Sequence, residues 1–434
     1  MRTSGNADAN FDVAVVGGGS AGVAAAVTAA QLGARTLLVE RCAQLGGNAT
    51  QAFVHTICGL YFAAEENSEA RFAHRGFPKR FAEFLLRTCG ARPPERAGRV
   101  FVLPVDPARF AAAARAFCES EKGLELVTNC ELTAATLSEE NGTGHELELL
   151  GADGTHRRAC AKIAVDASGD GALAVLGGAA VEVAPPELLQ HPSYIFRMSG
   201  VDTDAFHGFA RLRLSHAVAG AARTGVLPPG AEAVLVRTGC EPGDVYITLN
   251  IPKLETHLYQ PLDPNYRAAL EQRARANALA VANFLCETRL EFKGARVSAW
   301  PARIGIRETR RVLGDVVLGE ADVLRGWRRD DEVALSTWPI EIWHDHRRPE
   351  LHYPAGACSV PLGALWSRSH PRLGMAGRCL SATHEALGAL RVIGTALATG
   401  EAVGVAAALA ADRGLSLRDV TPVEVRAQLE TLAR

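Results

Sequence analysis

A Gly-x-Gly-x-x-Gly pattern near the start of the chain lies between a short apolar segment and an alanine-rich one. Residues 11–16 are rich in valine and are followed by glycine, which predicts a buried parallel strand. The alanine-rich residues that follow predict a helix to about residue 32. Gly17 would make the tight turn, Gly19 would let a pyrophosphate approach the backbone, and Gly22 would let the helix lie close to the sheet.

The same segment carries two further features of a dinucleotide site. The N–H groups of Ser20, Ala21 and Gly22 would face the phosphates at the positive end of the helix dipole. A second apolar run, residues 36–39, ends in Glu40, eighteen residues after Gly22. A carboxylate there can accept both ribose hydroxyls and favours an unphosphorylated ribose. The motif alone does not choose between NAD and FAD.

Length and charge narrow the class of protein. A chain of 434 residues with 48% apolar content can bury a large core and is long enough for two or three domains. The formal net charge is −2 and aromatic residues make up 6%. We therefore expect neither a nucleic-acid partner nor a membrane surface as a partner.

The cysteines, the N-terminal residues and the longest apolar stretches bear on where in the cell the protein is expected. Ten cysteines are scattered without a Cys-x-x-Cys pair, which predicts reduced thiols, no metal site and a cytoplasmic enzyme. The first ten residues are polar, so no signal or transit peptide is expected. The alanine-rich stretches 21–31 and 396–411 are predicted to fall short of a membrane span and to be helices buried against a sheet.

A double glycine after Glu40 adds the first resemblance to a known family. Arg41 is followed by Gly46, Gly47 and Asn48 in a short loop. In flavin enzymes of the glutathione-reductase type, such a pair lets the backbone pass close to the pyrophosphate and the flavin. Residues 13–50 thus resemble an FAD domain rather than an NAD domain.

The secondary structure of residues 65–165 is predicted from their composition and turn signals. Residues 65–100 are polar and turn-rich and are expected to run over the surface. Asp106 should cap a helix to about residue 118, with Pro107 in its first turn. The predicted strands are 124–128, 131–137, 146–150 and 159–165, with turns at Asn141-Gly142 and Asp153-Gly154. The resemblance implies that the backbone near Leu132 meets the adenine.

Residues 165–171 form the second block of resemblance. An apolar strand ends in Asp166-Ala167-Ser168-Gly169-Asp170-Gly171. It resembles the Ala-Thr-Gly-Asp-Gly segment that returns the chain to the cofactor in FAD-dependent oxidoreductases, with a serine in place of the threonine. An ordinary helix cap by Ser168 or Asp170 explains the same residues locally.

The third block lies near the end of the chain, at residues 376–404. It resembles the C-terminal flavin segment of the broad FAD-dependent oxidoreductase family that includes fumarate reductase-like flavoproteins. A helix that starts near residues 392–395 would direct free N–H groups at the flavin edge where negative charge develops on reduction. Across the three blocks, the residues predicted to bind FAD are Gly17, Gly19, Ser20, Ala21, Gly22, Glu40, Arg41, Gly46, Gly47, Asn48, Leu132, Ser168, Gly169, Asp170, Gly377, Arg378, Val392 and Ile393.

Together these blocks predict an α/β fold, with a Rossmann-like FAD-binding domain and an inserted mixed α+β substrate domain. The FAD domain would comprise residues 1–183 and 361–434, and the substrate or cap domain residues 184–360. Within the insert, strands are expected at 193–198 and 244–250 and a helix at 264–290. No second glycine fingerprint occurs there, so no dedicated NAD(P)H domain is expected. No histidine occurs in 41–54, so the FAD is expected to be non-covalent.

Candidate catalytic residues follow from proton handling next to a flavin. His384 follows the flavin-contacting segment and is the first candidate for acid or base, with His55 the second. Arg391, beside the expected helix start, could hold an anionic substrate or the flavin edge. Cys58 and Cys379 could lie near the flavin, but no charged neighbour in sequence indicates a reactive thiolate.

The inserted part supplies candidates for the substrate wall. Residues 303–311 contain four arginines, which form either a solvated surface or a clamp for a substrate carboxylate or a flavin phosphate. Trp343, His344 and His346 are further candidates, each with a structural role as the alternative.

The leading hypothesis is an FAD enzyme that transfers hydride between the flavin and a small organic substrate, in dehydrogenation or reduction of a C–C, C–N or C–O bond. A carboxylate-bearing substrate is one candidate. The alternatives are a flavin monooxygenase and a flavin electron-transfer subunit without its own substrate. The dicarboxylate pattern expected of a fumarate reductase is not reproduced. Small-residue helices are compatible with a homodimer without requiring one.

Overall fold

The computed structural model describes residues 9–64, 68–138, 144–206, 210–255 and 258–434. The predicted Asn141-Gly142 turn lies outside these ranges. The strands are β1 (Ala9–Val16), β2 (Thr36–Val39), β3 (Thr56–Cys58), β4 (Glu95–Ala97), β5 (Val100–Pro104), β6 (Leu124–Val127), β7 (Cys130–Thr136), β8 (His145–Gly151), β9 (His156–Asp166), β10 (Val181–Val183), β11 (Ser193–Ser199), β12 (Leu235–Thr238), β13 (Val245–Asn250), β14 (Arg296–Ala299), β15 (Arg310–Val312), β16 (Glu332–Ser336), β17 (Ile340–Asp345), β18 (Arg348–His352), β19 (Cys358–Pro361) and β20 (Leu373–Met375).

The helices account for most of the remaining regular structure. They are α1 (Ser20–Gln31), α2 (Asn48–Gln51), α3 (Phe77–Thr88), α4 (Pro107–Glu119), α5 (Ala172–Leu176), α6 (Ala210–Arg223), α7 (Pro264–Thr288), α8 (Glu320–Arg325), α9 (His384–Leu390), α10 (Ile393–Arg413) and α11 (Pro422–Leu432).

The main sheet is built around β9. Strands β6, β2, β1, β9 and β20 run parallel, while β8 and β7 extend the sheet from β9 as an antiparallel meander. Parallel strands that alternate with helices along the chain make a Rossmann-like α/β fold. The predicted fold class is confirmed.

The predicted helix after Asp106 is also confirmed. The Asp106 carboxylate accepts hydrogen bonds from the backbone N–H groups of Ala108, at 2.9 Å, and Arg109, at 3.2 Å. Pro107 occupies the first turn, where a missing N–H leaves no hydrogen bond unmade.

The expectation that residues 65–100 run over the surface is wrong for much of that segment. Helix α3 buries Phe77, Phe81 and Leu85, which are spaced four residues apart and so share one face of the helix. Pro78, which suggested a turn, lies in the first turn of the helix. Strands β4 and β5 then pair with each other, and β5 pairs with β3.

Helix α10 packs against α1 more closely than side chains would allow. A Cβ atom on Gly400 would lie 2.1 Å from the carbonyl oxygen of Ala21, and one on Gly404 would lie 2.5 Å from that of Ala25. The expected packing of small residues on the sheet is thus chiefly a packing of helix on helix. The two glycines let the backbones approach within contact distance.

Among the described residues, α10 is the helix with the length and apolar composition to cross a membrane, and 94% of its most apolar window is buried inside the molecule. The prediction that 396–411 falls short of a span is therefore wrong on length and composition. Burial of this kind is typical of a core helix.

A second hydrophobic core lies in the inserted part of the chain. Sheet β12-β13-β11-β14 is antiparallel and packs with α6 and α7 around buried residues between 184 and 306. Buried residues between 318 and 366 instead pack in the core that contains β1 and α1. The predicted strands at 193–198 and 244–250 and the helix at 264–290 are confirmed by β11, β13 and α7. The domain boundaries stay predictions.

Replacing Gly400 by alanine should lower the free energy of unfolding by about 2 kcal/mol or more, because the new methyl group overpacks the α1 contact. The matched control is Gly220→Ala. Gly220 is a helical glycine in α6 that has only the tip of Arg223 near its Cβ position, at 4.0 Å. That change should stabilise the protein by about 0.5–1 kcal/mol. Urea unfolding of the three proteins measures both effects. Equal midpoints for Gly400→Ala and the parent would contradict the packing described.

Candidate active site

Three loops meet at one edge of the main sheet because of strand register. In the parallel pairs around β9, Asp166 is the partner of both Val16 in β1 and Met375 in β20. The residues that follow these strands therefore emerge side by side. Ligands bind at this carboxyl edge in open α/β sheets.

The loops enclose a cleft, which we call the strand-end cleft. It is lined by Gly17, Gly19, Ser20, Ala21, Glu40, Arg41, Cys42, Gly46, Gly47, Asn48, Ala49, Gln51, Ala167, Ser168, Gly169, Asp170, Pro261, Arg267, Arg303, Ile304, Ile306, Ala376, Gly377, Arg378, Arg391, Ile393 and Ala396. Of the predicted FAD residues, Gly22, Leu132 and Val392 are not in this lining. Leu132 is buried among the apolar side chains on one face of the main sheet.

The three glycines of the first motif differ in what surrounds them. Gly17 has φ +104°, and a Cβ there would lie 2.6 Å from the carbonyl oxygen of Ala167. A Cβ on Gly22 would lie 1.8 Å from the carbonyl oxygen of Gly17. Gly19 has φ −71°, and the nearest atom to its Cβ position is Gly47 Cα at 3.8 Å. Gly17 and Gly22 are thus required by the fold itself, whereas Gly19 leaves space in the cleft.

The N-terminus of α1 supplies hydrogen-bond donors to the cleft. The first helical bond runs from Val23 N to the carbonyl oxygen of Gly19, at 2.9 Å. The N–H groups of Ser20, Ala21 and Gly22 have no carbonyl of the preceding turn to reach. Such a terminus, with the positive end of the helix dipole behind it, suits an anion such as a phosphate.

Glu40 holds the glycine loop through its carboxylate. One oxygen accepts from the backbone N–H of Gly18 at 2.6 Å, and the other accepts from that of Cys42 at 2.8 Å. The side chain lines the strand-end cleft and is nearly buried. Its predicted bond to a ribose would use the remaining lone pairs of these oxygens.

The double glycine runs beside the first motif. Gly46 donates its N–H to the carbonyl oxygen of Gly18 at 2.8 Å. Gly46 and Gly47 have φ values of +108° and +57°, a region that favours glycine. A Cβ on Gly47 would lie 3.0 Å from Gly19 Cα, so a side chain there would press on the turn formed by residues 17–22.

Asp170 and Arg378 close the cleft with an ion pair. A guanidinium nitrogen of Arg378 lies 2.7 Å from the Asp170 carboxylate, and Arg41 lies 3.6 Å from it. Although burial opposes ionisation, Arg378 and Arg41 lower the pKa of Asp170 below its ordinary value. The carboxylate thus stays charged and fixes both arginines at the cleft.

Ser168 has a local role as well as a place in the cleft lining. Its hydroxyl donates to Asp166 at 2.6 Å and accepts from the backbone N–H of Ala172 at 2.9 Å. The N-cap of α5 is Gly171 rather than Ser168 or Asp170, so the helix-cap explanation is wrong in that form, although Ser168 does accept a bond from the first residue of the helix. Its predicted contact with FAD stays a prediction.

A second cavity of about 440 Å³ adjoins the strand-end cleft. We call it the His55 cavity. It is lined by Asn48, Val54, His55, Thr56, Cys58, Val102, Ser193, Ile195, Ala233, Val234, Leu235, Arg237, Thr248, Asn250, Gly305, Ile306, Arg307, Trp338, Glu341, Trp343, Pro349, Arg378, Arg391, Val392 and Ile393. The residues shared by the two linings are Asn48, Ile306, Arg378, Arg391 and Ile393.

His55 is a buried, neutral histidine in this cavity. Its Nδ1 lies 3.1 Å from the carbonyl oxygen of Phe53, which requires that Nδ1 carry the proton. Its Nε2 is buried and has no hydrogen-bond partner among the described residues. The ring stacks on Tyr246, with centroids 4.4 Å apart. Burial, helped by the charge of Arg237, lowers the pKa of His55 to about 3.

Arg391 stands at the junction of the two spaces, just before α10. It donates to the carbonyl oxygen of Glu341 at 3.1 Å and to the Gln190 side chain at 3.3 Å, while its Nε has no partner among the described residues. Val392 precedes the first residue of α10, where helical N–H groups lack acceptors. The predicted helix start at 392–395 is confirmed.

His384, the first candidate for acid or base, lies in neither lining, and its catalytic role stays a prediction. Its Nδ1 is 2.7 Å from the buried carboxylate of Glu308, and its Nε2 is 2.9 Å from His344 Nε2. Glu308 also pairs with Arg311 at 2.5 Å. His384 is the first residue of α9, and its side chain is fixed in this buried network rather than at a cavity.

The arginines of 303–311 divide between the two interpretations. Arg303 lines the strand-end cleft and Arg307 the His55 cavity. Arg311 is fully buried and structural. Trp343 also lines the His55 cavity, whereas His344 and His346 do not, and His344 contacts His384 instead.

The two cysteines differ in position. Cys58 lines the His55 cavity, and burial raises its pKa to about 12. Cys379 is fully buried beside Asp166, and burial raises its pKa well above the ordinary value. Both shifts oppose the formation of a thiolate near neutral pH.

Sequence reasoning missed Arg237 and Glu341. Arg237 lies on β12 and Glu341 on β17, far from the cofactor motifs in sequence. Glu341 alternates with buried Ile340 and Ile342, and Arg237 follows buried Val236 on its strand. That alternation predicts a half-buried strand but carries no sign of which polar side chains face a cavity.

A protein-family model for FAD dependent oxidoreductases matches residues 12–429. The chain belongs to the FAD-dependent oxidoreductase family. It is accordingly an FAD-dependent enzyme, and the predicted cofactor is confirmed. A search of curated protein sequences returned no match.

Several solved structures resemble this oxidoreductase at low identity. A geranylgeranyl bacteriochlorophyll reductase-like protein from Thermoplasma acidophilum is 14% identical with a TM-score of 0.44, covering 98% of this chain and 83% of that chain. A flavin-dependent brominase is 12% identical with a TM-score of 0.49, covering 98% and 83%. A flavoprotein/dehydrogenase from Cytophaga hutchinsonii is 13% identical with a TM-score of 0.44, covering 94% and 80%. At identities this low, the reaction that a similar structure catalyses cannot be assigned to this chain.

The residues present fit an FAD. The strand-end cleft offers free helix N–H groups for a pyrophosphate and an open Cβ position at Gly19. At its other end Arg391 and Ile393, at the start of α10, line the cleft and would supply donors for the flavin edge. The His55 cavity adjoins that end of the cleft.

Gly19→Ala should weaken FAD binding by about tenfold or more, a loss of about 1.4 kcal/mol, because the methyl group would enter the space for the pyrophosphate. The unfolding midpoint of the FAD-free protein should not change, since the nearest atom to that Cβ is 3.8 Å away. Fluorescence titration with FAD and thermal unfolding measure the two quantities.

Gly22→Ala is the matched comparison. Its Cβ would clash with the carbonyl oxygen of Gly17, so this variant should lose stability even without FAD. Unaltered FAD affinity in Gly19→Ala would contradict the proposed position of the pyrophosphate.

Proposed function

We propose that this oxidoreductase transfers hydride between FAD and a small organic substrate that binds in the His55 cavity. The observation that carries the proposal is the shared boundary of the two spaces at Arg391 and Ile393. FAD, when bound, accepts or donates the hydride. A flavin at this boundary would have the cofactor cleft on one side and a cavity of substrate size on the other.

The start of α10 would support the charge that reduction develops. Ile393, Gly394 and Thr395 are the first residues of the helix, and the first helical bond runs from Ala396 N to the carbonyl oxygen of Val392, at 2.9 Å. Their N–H groups and the helix dipole favour negative charge at this point. Gly394 packs against Gly59, where a Cβ would lie 2.3 Å from its carbonyl carbon, so the terminus is held in place.

His55 handles the proton of the reaction. Because Nδ1 donates to the Phe53 carbonyl, the buried and unpartnered Nε2 carries the lone pair that would accept a proton. Its low pKa keeps the ring neutral throughout the neutral pH range, and stacking on Tyr246 fixes its plane. His55 was the second candidate from sequence and takes the role first given to His384.

The cavity walls favour an enzyme over an electron-transfer subunit. Trp338 and Trp343 line it together with the aliphatic residues Ile195 and Val102. Walls of this kind shield a substrate from water and orient it for reaction.

Anaerobic mixing of the FAD-loaded protein with small alcohols, amines and saturated acids tests the proposal. Loss of the visible flavin band with one substrate and an oxidised product would support it. Slow reoxidation in air would indicate a dehydrogenase, and fast reoxidation an oxidase. Reduction by a nicotinamide cofactor, followed by oxygen insertion, would favour the monooxygenase. Reduction by one-electron donors alone would contradict the proposal.

With a substrate found in this way, His55→Gln should slow flavin reduction by about a hundredfold or more, because general-base assistance is lost. His384→Gln should leave that rate constant within about threefold, since His384 lies in neither lining. Stopped-flow absorbance at saturating substrate measures both, with FAD content checked first. A larger loss in His384→Gln than in His55→Gln would return the acid–base role to His384.

A further inference from the structure

Arg237 is a cavity arginine without a partner. It lies on β12, and its side chain lines the His55 cavity. No hydrogen bond or ion pair within the described residues includes its guanidinium, and the carboxylates of Glu95 and Glu341 act on it through their charge alone. Burial lowers its pKa below the ordinary value. Arginine side chains nevertheless keep their charge in proteins.

The other three arginines of the cavity are all engaged. Arg307 donates to Asn250 Oδ1 at 2.7 Å and also to the carbonyl oxygen of His191. Arg378 pairs with Asp170 at 2.7 Å. Arg391 donates to the carbonyl oxygen of Glu341 at 3.1 Å. These contacts fix their positions and leave Arg237 as the free guanidinium of the described lining.

The charges of the cavity do not balance. Glu341 is the carboxylate in the lining, and its oxygens accept from Trp343 Nε1 at 2.7 Å and lie 4.0 Å from Arg391. Although burial opposes it, Arg391 lowers the pKa of Glu341, so that carboxylate is ionised. Glu95, the other carboxylate whose charge acts on Arg237, is paired with Arg92 at 2.6 Å. The carboxylate of Glu341 alone does not neutralise Arg237, Arg307 and Arg391 together.

An unpaired charge in a cavity is unfavourable until an anion joins it. A carboxylate matches the fork of N–H donors on a guanidinium and can form two parallel hydrogen bonds. The apolar walls at Trp338, Trp343 and Ile195 suit the uncharged remainder of such a molecule. These features together indicate an acid with an apolar body.

We propose that Arg237 binds the carboxylate of a monocarboxylic acid substrate, whose apolar part packs against the tryptophan wall of the His55 cavity. The inference rests on the proposed function in taking this cavity as the substrate site. Arg237 would then be a specificity-determining residue that contacts substrate.

Calorimetric titration of the FAD-loaded protein tests the inference without turnover. The probes are the straight-chain monocarboxylates from acetate to octanoate and benzoate, each compared with its primary amide, which is close in shape but uncharged. At least one acid should bind at least tenfold more tightly than its amide. No preference for any acid over its amide would overturn the inference.

Substitutions at Arg237 assign the preference to this side chain. Arg237→Gln should weaken binding of the preferred acid at least tenfold and leave its amide unaffected, while Arg237→Lys should retain part of the preference. The control is Arg213→Gln, an exposed arginine on α6, which should bind like the parent protein. Unaltered acid binding in Arg237→Gln would also overturn the inference.

Thermal unfolding separates this role from a structural one. Because Arg237 makes no hydrogen bond or ion pair to the described residues, Arg237→Gln should unfold at the same temperature as the parent or at a higher one. A lower unfolding temperature would show that Arg237 serves the fold instead. Calorimetry measures binding without turnover. The comparison of acid with amide can therefore be interpreted even if the protein transfers no hydride. If an uncharged substrate reduced the flavin, the proposed hydride transfer would stand and the inference of a carboxylate substrate would fail.

Discussion

The pairing of β9 with strands on both sides is the constraint on which the site depends. Its register sets Val16, Asp166 and Met375 level, so that three loops from distant parts of the chain leave the sheet together. The carboxylate of Asp166 is fully buried and accepts from the N–H groups of Ser168, at 3.0 Å, and Ala174, at 2.9 Å. Burial raises the pKa of Asp166, which these hydrogen bonds oppose. Strand register and loop shape are thereby coupled at one residue.

Sequence was informative where function depends on local backbone geometry. A glycine that must adopt positive φ, such as Gly17 or Gly46, leaves a signal at its own position. The same holds for Asp106, whose capping bonds span three residues. The fold class and the cofactor cleft could therefore be predicted from short segments.

Sequence was uninformative where a site forms between distant segments. His384 is adjacent to the flavin motif in the chain, yet its side chain points into the network of Glu308 and His344. His55 and Arg237 lie far apart in the chain, the one just before β3 and the other on β12 of a different sheet, yet both line one cavity. Helix α3 was missed for a different reason, since Pro78 reads as a turn signal although it also fits a first helical turn.

The site combines fixed charges with a neutral base. Asp170 and Glu341 hold Arg378 and Arg391 where the cleft and the cavity meet. His55 stays neutral because it is buried and because the charge of Arg237 opposes its protonation. A site of this kind favours negative charge at two helix N-termini. These would be occupied by the pyrophosphate at α1 and by the reduced flavin edge at α10.

The most direct test of this account is a crystal structure of the FAD-loaded enzyme. The account predicts the pyrophosphate at the start of α1 and the flavin ring beside Arg391 and Ile393, with one face toward His55. A flavin ring turned away from the His55 cavity, toward Pro261 and Arg267 at the other part of the cleft lining, would contradict it.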